Sequence, residues 1–196
     1  MDSKSSETAK NLMRAFAGES QARNRYTFAA GKAKAEGLPV IEAAFLFTAG
    51  QEKEHGEIFY NHLKDLCGQT IFIDGGYPVD QYEKSVDLLK AARHNEYEEY
   101  QDVYRNFGNI AKEEGFSQIA NSFFMIAEIE RTHGDRFQLF ADYLDKNQLF
   151  VSEVETGWMC LNCGHVHKGT QAPQKCPVCQ HEQGYFIRME LAPYVQ

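Results

Sequence analysis

The chain has 196 residues, five of them cysteines, and a formal net charge of −8 at pH 7. This length accommodates one helical bundle and a small second domain. The acidic balance and the lack of any cluster of Lys and Arg exclude a nucleic-acid-binding surface. Because no apolar run reaches transmembrane length and the start of the chain has no signal-peptide pattern, we expect a cytoplasmic protein that does not bind membranes.

Apolar residues that recur at three- and four-residue steps predict four helices, over residues 7–36, 40–67, 80–114 and 117–146. Gly37 and Pro39 separate the first two, because glycine ends helices and proline favours a first helical turn. Gly115 separates the last two, with Ser117 as the expected N-cap. Two short connections and one long one predict a mainly α fold, a ferritin-like four-helix bundle, which we assign to residues 1–150.

An internal repeat relates the two halves of this bundle and aligns without a gap on Gly37 and Gly115. Identical residues stand at equal distances from these glycines: Tyr26 with Tyr104, Glu52 with Glu130, and His55 with His133. The repeat fails at one place, since the residue 18 before Gly37 is Glu19 but the residue 18 before Gly115 is Tyr97. Each half is therefore expected to be a helix–turn–helix unit with Glu-x-x-His on its second helix.

These carboxylates and histidines have the spacing of a two-metal site. Such sites take one Glu from each of two helices and Glu-x-x-His from the other two, because residues three apart share a helix face. The residues that complete this pattern are Glu19, Glu52, His55, Glu96, Glu130 and His133. Glu99 is a surplus carboxylate beside them. A single Glu-x-x-His is usually a solvated surface pair, but two in register indicate ligands. Oxygen and imidazole donors suit iron or manganese, and oxygen or peroxide chemistry favours iron.

The last part of the chain, residues 151–196, has short runs, glycines and prolines and no long helical period. It is too short to bury an adequate core, so we expect a metal to stabilise it. Its predicted ligands are Cys160, Cys163, Cys176 and Cys179, in two Cys-x-x-Cys pairs. Four thiolates suit zinc or iron, and this segment alone favours a structural zinc. Cys67 is left over, and we expect it to be buried or inert.

Several segments together resemble the rubrerythrins over nearly the whole length. The segments that carry the resemblance are Phe16–Tyr26, Gln51–His55, Glu96–Tyr100, Lys112–Gly115, Glu130–His133 and Trp158–Cys179. The resemblance implies a centre of two non-haem irons and a rubredoxin-like domain with one iron on four cysteines, which shifts the expected metal there from zinc to iron. It also implies reduction of hydrogen peroxide to water, with electrons from a rubredoxin or a separate NAD(P)H-linked reductase, and a head-to-tail homodimer.

The resemblance also implies a role for each iron ligand. It makes Glu52 and Glu130 the bridging ligands of the pair. It assigns Glu96 and His133 to one iron and Glu19 to the other.

A second implication concerns the surplus carboxylate. In the family, one iron moves with its oxidation state, and here it would exchange Glu99 for His55. Ferric iron prefers the anionic oxygen, whereas ferrous iron accepts the neutral imidazole. Tyr26 and Tyr100 are the residues expected to form hydrogen bonds near the peroxide pocket, although a tyrosine on a core face is more often simply packed.

Two other functions use the same residues. One is a ferritin-like ferroxidase or iron-binding protein with a structural zinc ribbon. The other is a metal-binding scaffold without turnover. The chain has no Gly-x-Gly-x-x-Gly fingerprint, so we expect no Rossmann-type nicotinamide site.

Overall fold

The computed structural model describes residues 6–193. The helices are α1 (Glu7–Ala35), α2 (Pro39–Asn61), α3 (Ser85–Glu98), α4 (Tyr104–Glu113) and α5 (Ser117–Asp145). A π-helical segment, Glu99–Val103, joins α3 to α4, so that these three pieces form the third long helix of the bundle. The ferritin-like four-helix fold predicted from the sequence is confirmed. Among the described residues, no helix is both long and apolar enough to cross a membrane.

Some helix ends differ from their predicted positions. The second helix ends at Asn61 rather than at residue 67, and only the short 3₁₀ turn Lys64–Leu66 follows it. The third begins at Ser85 rather than at residue 80, because Glu36 accepts a hydrogen bond from the Ser85 amide at 2.8 Å. Ser117 is the first helical residue and not the N-cap, a position held by Phe116 without a side-chain cap.

Two glutamates cap helices across the bundle in a reciprocal way. Glu36 accepts from the first amide of α3, and Glu114 accepts from the Thr8 amide at the start of α1 at 2.9 Å. Each glutamate precedes one of the repeat glycines, Gly37 and Gly115, whose φ angles are +73° and +86°. An acceptor at a helix N-terminus satisfies amides that lack intrahelical partners and interacts favourably with the helix dipole. The two helix–turn–helix halves are therefore tied to each other at both ends.

Two apolar clusters lie along the bundle with a buried polar layer between them. One cluster includes Ile41, Phe45 and Phe137, and the other includes Phe59 and Phe123. Along each of the long helices, the predicted ligands fall between residues of one cluster and residues of the other. Close packing on both sides therefore fixes the helices that carry the polar layer.

The C-terminal part is a three-stranded antiparallel sheet, β1 (Val151–Cys160), β2 (Val166–Gln171) and β3 (Phe186–Arg188), in the order β2-β1-β3. Trp158 is fully buried with Cys160 and Cys176 in a small core of its own. This unit contacts the α1–α2 turn, where a Cβ atom at Gly184 would lie 2.1 Å from the Gly37 carbonyl oxygen. No other residue fits at that contact without displacing the turn.

Candidate metal centres

The π-helical segment explains why the repeat fails between Glu19 and Tyr97. A π-bulge adds one residue to a helix. Glu96 stands 77 residues after Glu19, whereas Tyr104 stands 78 residues after Tyr26. The extra residue thus brings Glu96 into the position equivalent to Glu19, and it supplies Glu99 without breaking the helix.

Glu52 and Glu130 lie between the two histidines, each with one oxygen toward either ring. The Oε2 atom of Glu52 is 3.2 Å from His55 Nδ1, and its Oε1 atom is 2.9 Å from His133 Nδ1. The two oxygens of Glu130 lie 2.9 Å from the same two nitrogens, one from each. The rings are stacked with their centroids 5.5 Å apart. This is the arrangement of two half-sites that share two carboxylates.

The other two glutamates belong to opposite half-sites. Glu19 lies on the His55 side, 4.0 Å from its Nδ1, and Glu96 lies on the His133 side, 3.5 Å from its Nδ1. Each has a tyrosine partner from another helix. Tyr104 donates to Glu19 at 2.5 Å, and Tyr26 donates to Glu96.

Glu99 approaches the cluster from the π-helical segment, where it is half-buried. One carboxylate oxygen each from Glu96, Glu99 and Glu130 lie within 4.8 Å of one another. Glu99 is therefore close enough to a shared point to be an additional ligand.

Many polar atoms of this layer are buried without a hydrogen-bond partner among the described residues. They comprise six carboxylate oxygens and three imidazole nitrogens, from Glu19, Glu52, Glu96, Glu130, His55 and His133. Buried polar atoms are normally satisfied, so a group of this size indicates a site that binds cations. One ligand atom each from Glu52, His55, Glu130 and His133 falls within 4.8 Å of the others. The donor set fits a pair of irons, and the cofactor predicted from the sequence matches the site.

The charges of the layer show how a cation would be bound. Burial raises the pKa of Glu96 to about 8, and Glu52 adds to the increase. Burial also holds the pKa of Glu19 and Glu99 well above the usual range, reinforced by the neighbouring carboxylates. Burial lowers the pKa of His133, but its adjoining carboxylates reverse this and raise it to about 12. Cations that bind these carboxylates would replace protons, so metal binding is expected to release protons.

The four cysteines form a second site at the end of β1. Their sulfur atoms all lie within 4.8 Å of one another, with Cys160 to Cys179 at 3.7 Å and Cys163 to Cys176 at 3.6 Å. A tetrahedral metal with bonds of about 2.3 Å separates its sulfurs by about 3.8 Å, so these distances fit one ion. The Cys160 and Cys176 amides donate to His165 and His181 carbonyl oxygens at 2.8 Å, which gives two similar knuckles.

One residue differs from the sequence-based expectation, the predicted role of Tyr100 stays a prediction, and one tyrosine of the site was missed. Cys67 is exposed rather than buried and lies outside the four-cysteine site. Tyr100 is half-buried with the Arg105 guanidinium 4.7 Å above its ring. The tyrosine that binds Glu19 is Tyr104, which sequence reasoning did not name as a site residue. Its signal was its place opposite Tyr26 in the internal repeat.

A cleft of about 630 Å³ leads from the surface to the Glu99 side of the layer. Glu99 and Tyr104 line its inner part, and the segment Asp74–Pro78 forms one wall. Tyr77 in this segment donates to the Arg14 carbonyl oxygen at 3.0 Å, which attaches the wall to α1. A small molecule thus has a polar route to Glu99.

Comparison with known proteins bears directly on this pair of sites. The rubrerythrin family profile matches residues 10–141 of the chain. The chain belongs to the rubrerythrin family. The profile of the rubrerythrin rubredoxin-like domain matches residues 158–187, which include all four cysteines.

Individual relatives agree with this assignment. The chain is 42% identical to a rubrerythrin of Clostridium perfringens over 184 residues, covering 93% of this chain and 94% of that protein. It is 41% identical to a rubrerythrin of Nitratidesulfovibrio vulgaris over 183 residues, with the same coverage of 93% and 94%. A solved structure of nigerythrin in its fully reduced, all-ferrous state has a TM-score of 0.64 and 28% identity, covering 95% of this chain and 90% of that one. The chain thus covers most of the length of both rubrerythrin relatives.

Proposed function

We propose that this member of the rubrerythrin family reduces hydrogen peroxide to water at its di-iron site. The observation that carries the proposal is the fifth carboxylate of the layer, Glu99, which lines an open cleft beside a site with two shared carboxylates. Bound as a ferrous pair, the irons would supply the two electrons that are needed to cleave the O–O bond and form water. The family is generally one of oxidoreductases, and the four-cysteine site provides a place for electrons to enter.

The residues around the pair would bind the metals and fix their orientation. Glu52 and Glu130 would bridge the irons, since each directs one oxygen to either half-site. Glu96 and His133 would complete one half-site and Glu19 the other. Tyr26 and Tyr104 hold the outer carboxylates by hydrogen bonds, a contact that fixes the ligand orientation. Glu99 and His55 would alternate at one iron as its oxidation state changes.

Electrons would arrive at the four-cysteine site of a homodimer partner. The C-terminal unit contacts its own bundle at Gly37, 15 residues along the helices from Glu52. At 1.5 Å per residue this corresponds to roughly 22 Å, a long distance for direct transfer within one chain. A head-to-tail dimer of two-domain chains, divided near residue 150, would shorten it. The electron donor would be a rubredoxin or an NAD(P)H-linked reductase, in the cytoplasm.

The test is rapid mixing of the anaerobically reduced, iron-loaded protein with peroxide or with dioxygen, followed by the absorbance of the oxidised pair. Peroxide should oxidise the site at least tenfold faster than dioxygen at equal concentration, and one peroxide should suffice per pair. Faster oxidation by dioxygen, with repeated uptake of added ferrous ion, would instead establish a ferroxidase.

Metal analysis and the visible spectrum identify the four-cysteine ion, because iron–thiolate sites are red and zinc sites colourless.

A further inference from the structure

We propose that Arg25 is a positioning residue for the iron pair. Asp80, in the long connection between α2 and α3, holds the Arg25 guanidinium so that a fixed positive charge lies at the cleft beside Glu99. The inference deepens the proposed function, because it names what sets the balance between the reduced and oxidised pair. Arg25 itself is not a metal ligand.

The guanidinium of Arg25 is held by contacts from two directions. Its Nε atom donates to Gln21 on the same helix at 2.6 Å. One terminal nitrogen donates to Asp80 at 2.7 Å, and Asn95 on α3 donates to the same Asp80 oxygen at 2.8 Å. The side chains of Arg25 and Asp80 are each only 15% exposed. A planar guanidinium fixed by this many acceptors has one orientation, unlike an exposed lysine.

This fixed charge lies beside the residues of the metal layer. Asn95 directly precedes Glu96, and Arg25 directly precedes Tyr26, the partner of Glu96. Arg25, Asn95 and Glu99 also line the same cleft. Asn95 and Glu99 are four residues apart on the third long helix, so their side chains share one face of it. The charge of Arg25 therefore acts on the carboxylate that approaches the site from the π-helical segment.

A nearby positive charge disfavours the more highly charged oxidised pair. Replacing Arg25 with a neutral residue should thus favour oxidation. A unit charge in a partly buried site is worth roughly a tenfold change in an equilibrium constant. An ion pair that only attached the α2–α3 connection to α1 would have no such effect on the redox equilibrium.

The experiment is a redox titration of the iron-loaded protein without peroxide, read from the absorbance of the oxidised pair. Arg25→Gln should lower the ratio of reduced to oxidised iron roughly tenfold at a fixed potential. Arg23→Gln removes the same charge from an exposed position two residues earlier and should change the ratio less than twofold. Arg25→Lys, which keeps the charge, should lie closer to the parent than to Arg25→Gln.

Asp80→Asn tests the positioning separately. Because Asp80 carries a charge of its own, this substitution should raise the ratio of reduced to oxidised iron in both backgrounds. If Asp80 also positions Arg25, the change in the parent should be smaller than the change in the Arg25→Gln background, since coupled residues are non-additive. If Arg25→Gln and Arg23→Gln give equal shifts, or if Asp80→Asn changes the ratio equally in the two backgrounds, the inference is wrong. The titration uses no peroxide, so it stands or falls independently of whether peroxide is the substrate.

Discussion

Tyr104 on α4 donates its hydroxyl proton to Glu19 on α1, at the point where one half of the bundle meets the other. The internal repeat supplies the counterpart, in which Tyr26 on α1 donates to Glu96 on α3. Both tyrosines are fully buried, and burial raises the pKa of each well above its usual value. Both hydroxyl groups therefore stay protonated, and can donate hydrogen bonds, over the pH range in which the protein is folded.

Tyr104→Phe should weaken metal binding at the Glu19 half-site by about 10- to 100-fold, the usual effect of losing a hydrogen bond that orients a ligand. The measurement is a competition titration with a chelator. Tyr100→Phe is the matched control on the preceding turn of the same long helix, and it should change affinity much less. Equal effects of the two substitutions would show that the Tyr104 contact does not orient Glu19.

Glu130→Ala should abolish binding of the iron pair, because both half-sites lose an oxygen and the remaining carboxylates repel one another without a cation. Iron analysis of the purified protein measures this directly. Glu128→Ala is the control, since Glu128 is an exposed residue on the same helix that pairs with Arg105 at 2.6 Å. Two irons still bound to the bundle of Glu130→Ala would contradict its bridging position.

Cys176→Ser should abolish turnover with a reductase while peroxide still oxidises a chemically reduced di-iron site. Cys176 is fully buried among the other sulfurs, and a serine there removes one of the four thiolates. Cys67→Ser, at an exposed cysteine, should leave turnover unchanged. Steady-state activity that survives in Cys176→Ser would assign the four-cysteine site a purely structural role.

Glu99→Ala and His55→Ala should affect different oxidation states of the iron pair. Loss of the anionic carboxylate should favour the reduced pair, whereas loss of the neutral imidazole should slow oxidation by peroxide and largely spare the oxidised pair. A redox titration and rapid mixing with peroxide distinguish the two. If both variants shift the titration equally and in the same direction, the residues bind together and do not alternate.

The metal-free protein should lose stability between about pH 4.5 and 8. The folded-state pKa of Glu96 is raised to about 8 from 4.5, so folding favours its protonated form and this contribution disappears as the pH rises through that range. Each proton released accounts for about 1.4 kcal/mol of unfolding free energy per pH unit. Thermal unfolding at several pH values should show a smaller slope for Glu96→Gln, and iron should remove the slope from the parent. Identical slopes in parent and variant would rule out Glu96 as the source.

Much of the bundle was predictable because its pattern is local and is repeated. Gly37 and Gly115 mark the two turns, and the repeat around them placed Glu52 and Glu130 in equivalent positions. Two Glu-x-x-His pairs in register identified the buried layer. The two Cys-x-x-Cys pairs identified the second site, since each pair places two sulfurs close together and four thiolates are the ligands of one tetrahedral metal.

The π-helical segment was not predictable from hydrophobic periodicity. One additional residue in a helix changes the backbone hydrogen bonds but not the composition, and the apolar pattern on either side continues. The mismatch of Tyr97 with Glu19 indicated that a residue had been inserted. Only the structure shows where in the helix the inserted residue lies. The start of α3 was likewise hidden, because its cap comes from Glu36, which is distant in the sequence.

The additional residue in the segment Glu99–Val103 also makes the two halves of the bundle unequal. Two equal halves would be interchangeable by a half-turn, and a reactant would meet the same ligands from either end. Here the π-helical segment of the third long helix carries the additional carboxylate, Glu99, and this residue lines the cleft. Deleting one residue from this turn would restore the register of the repeat, because Glu96 would then stand 18 residues before the second glycine, as Glu19 stands before Gly37.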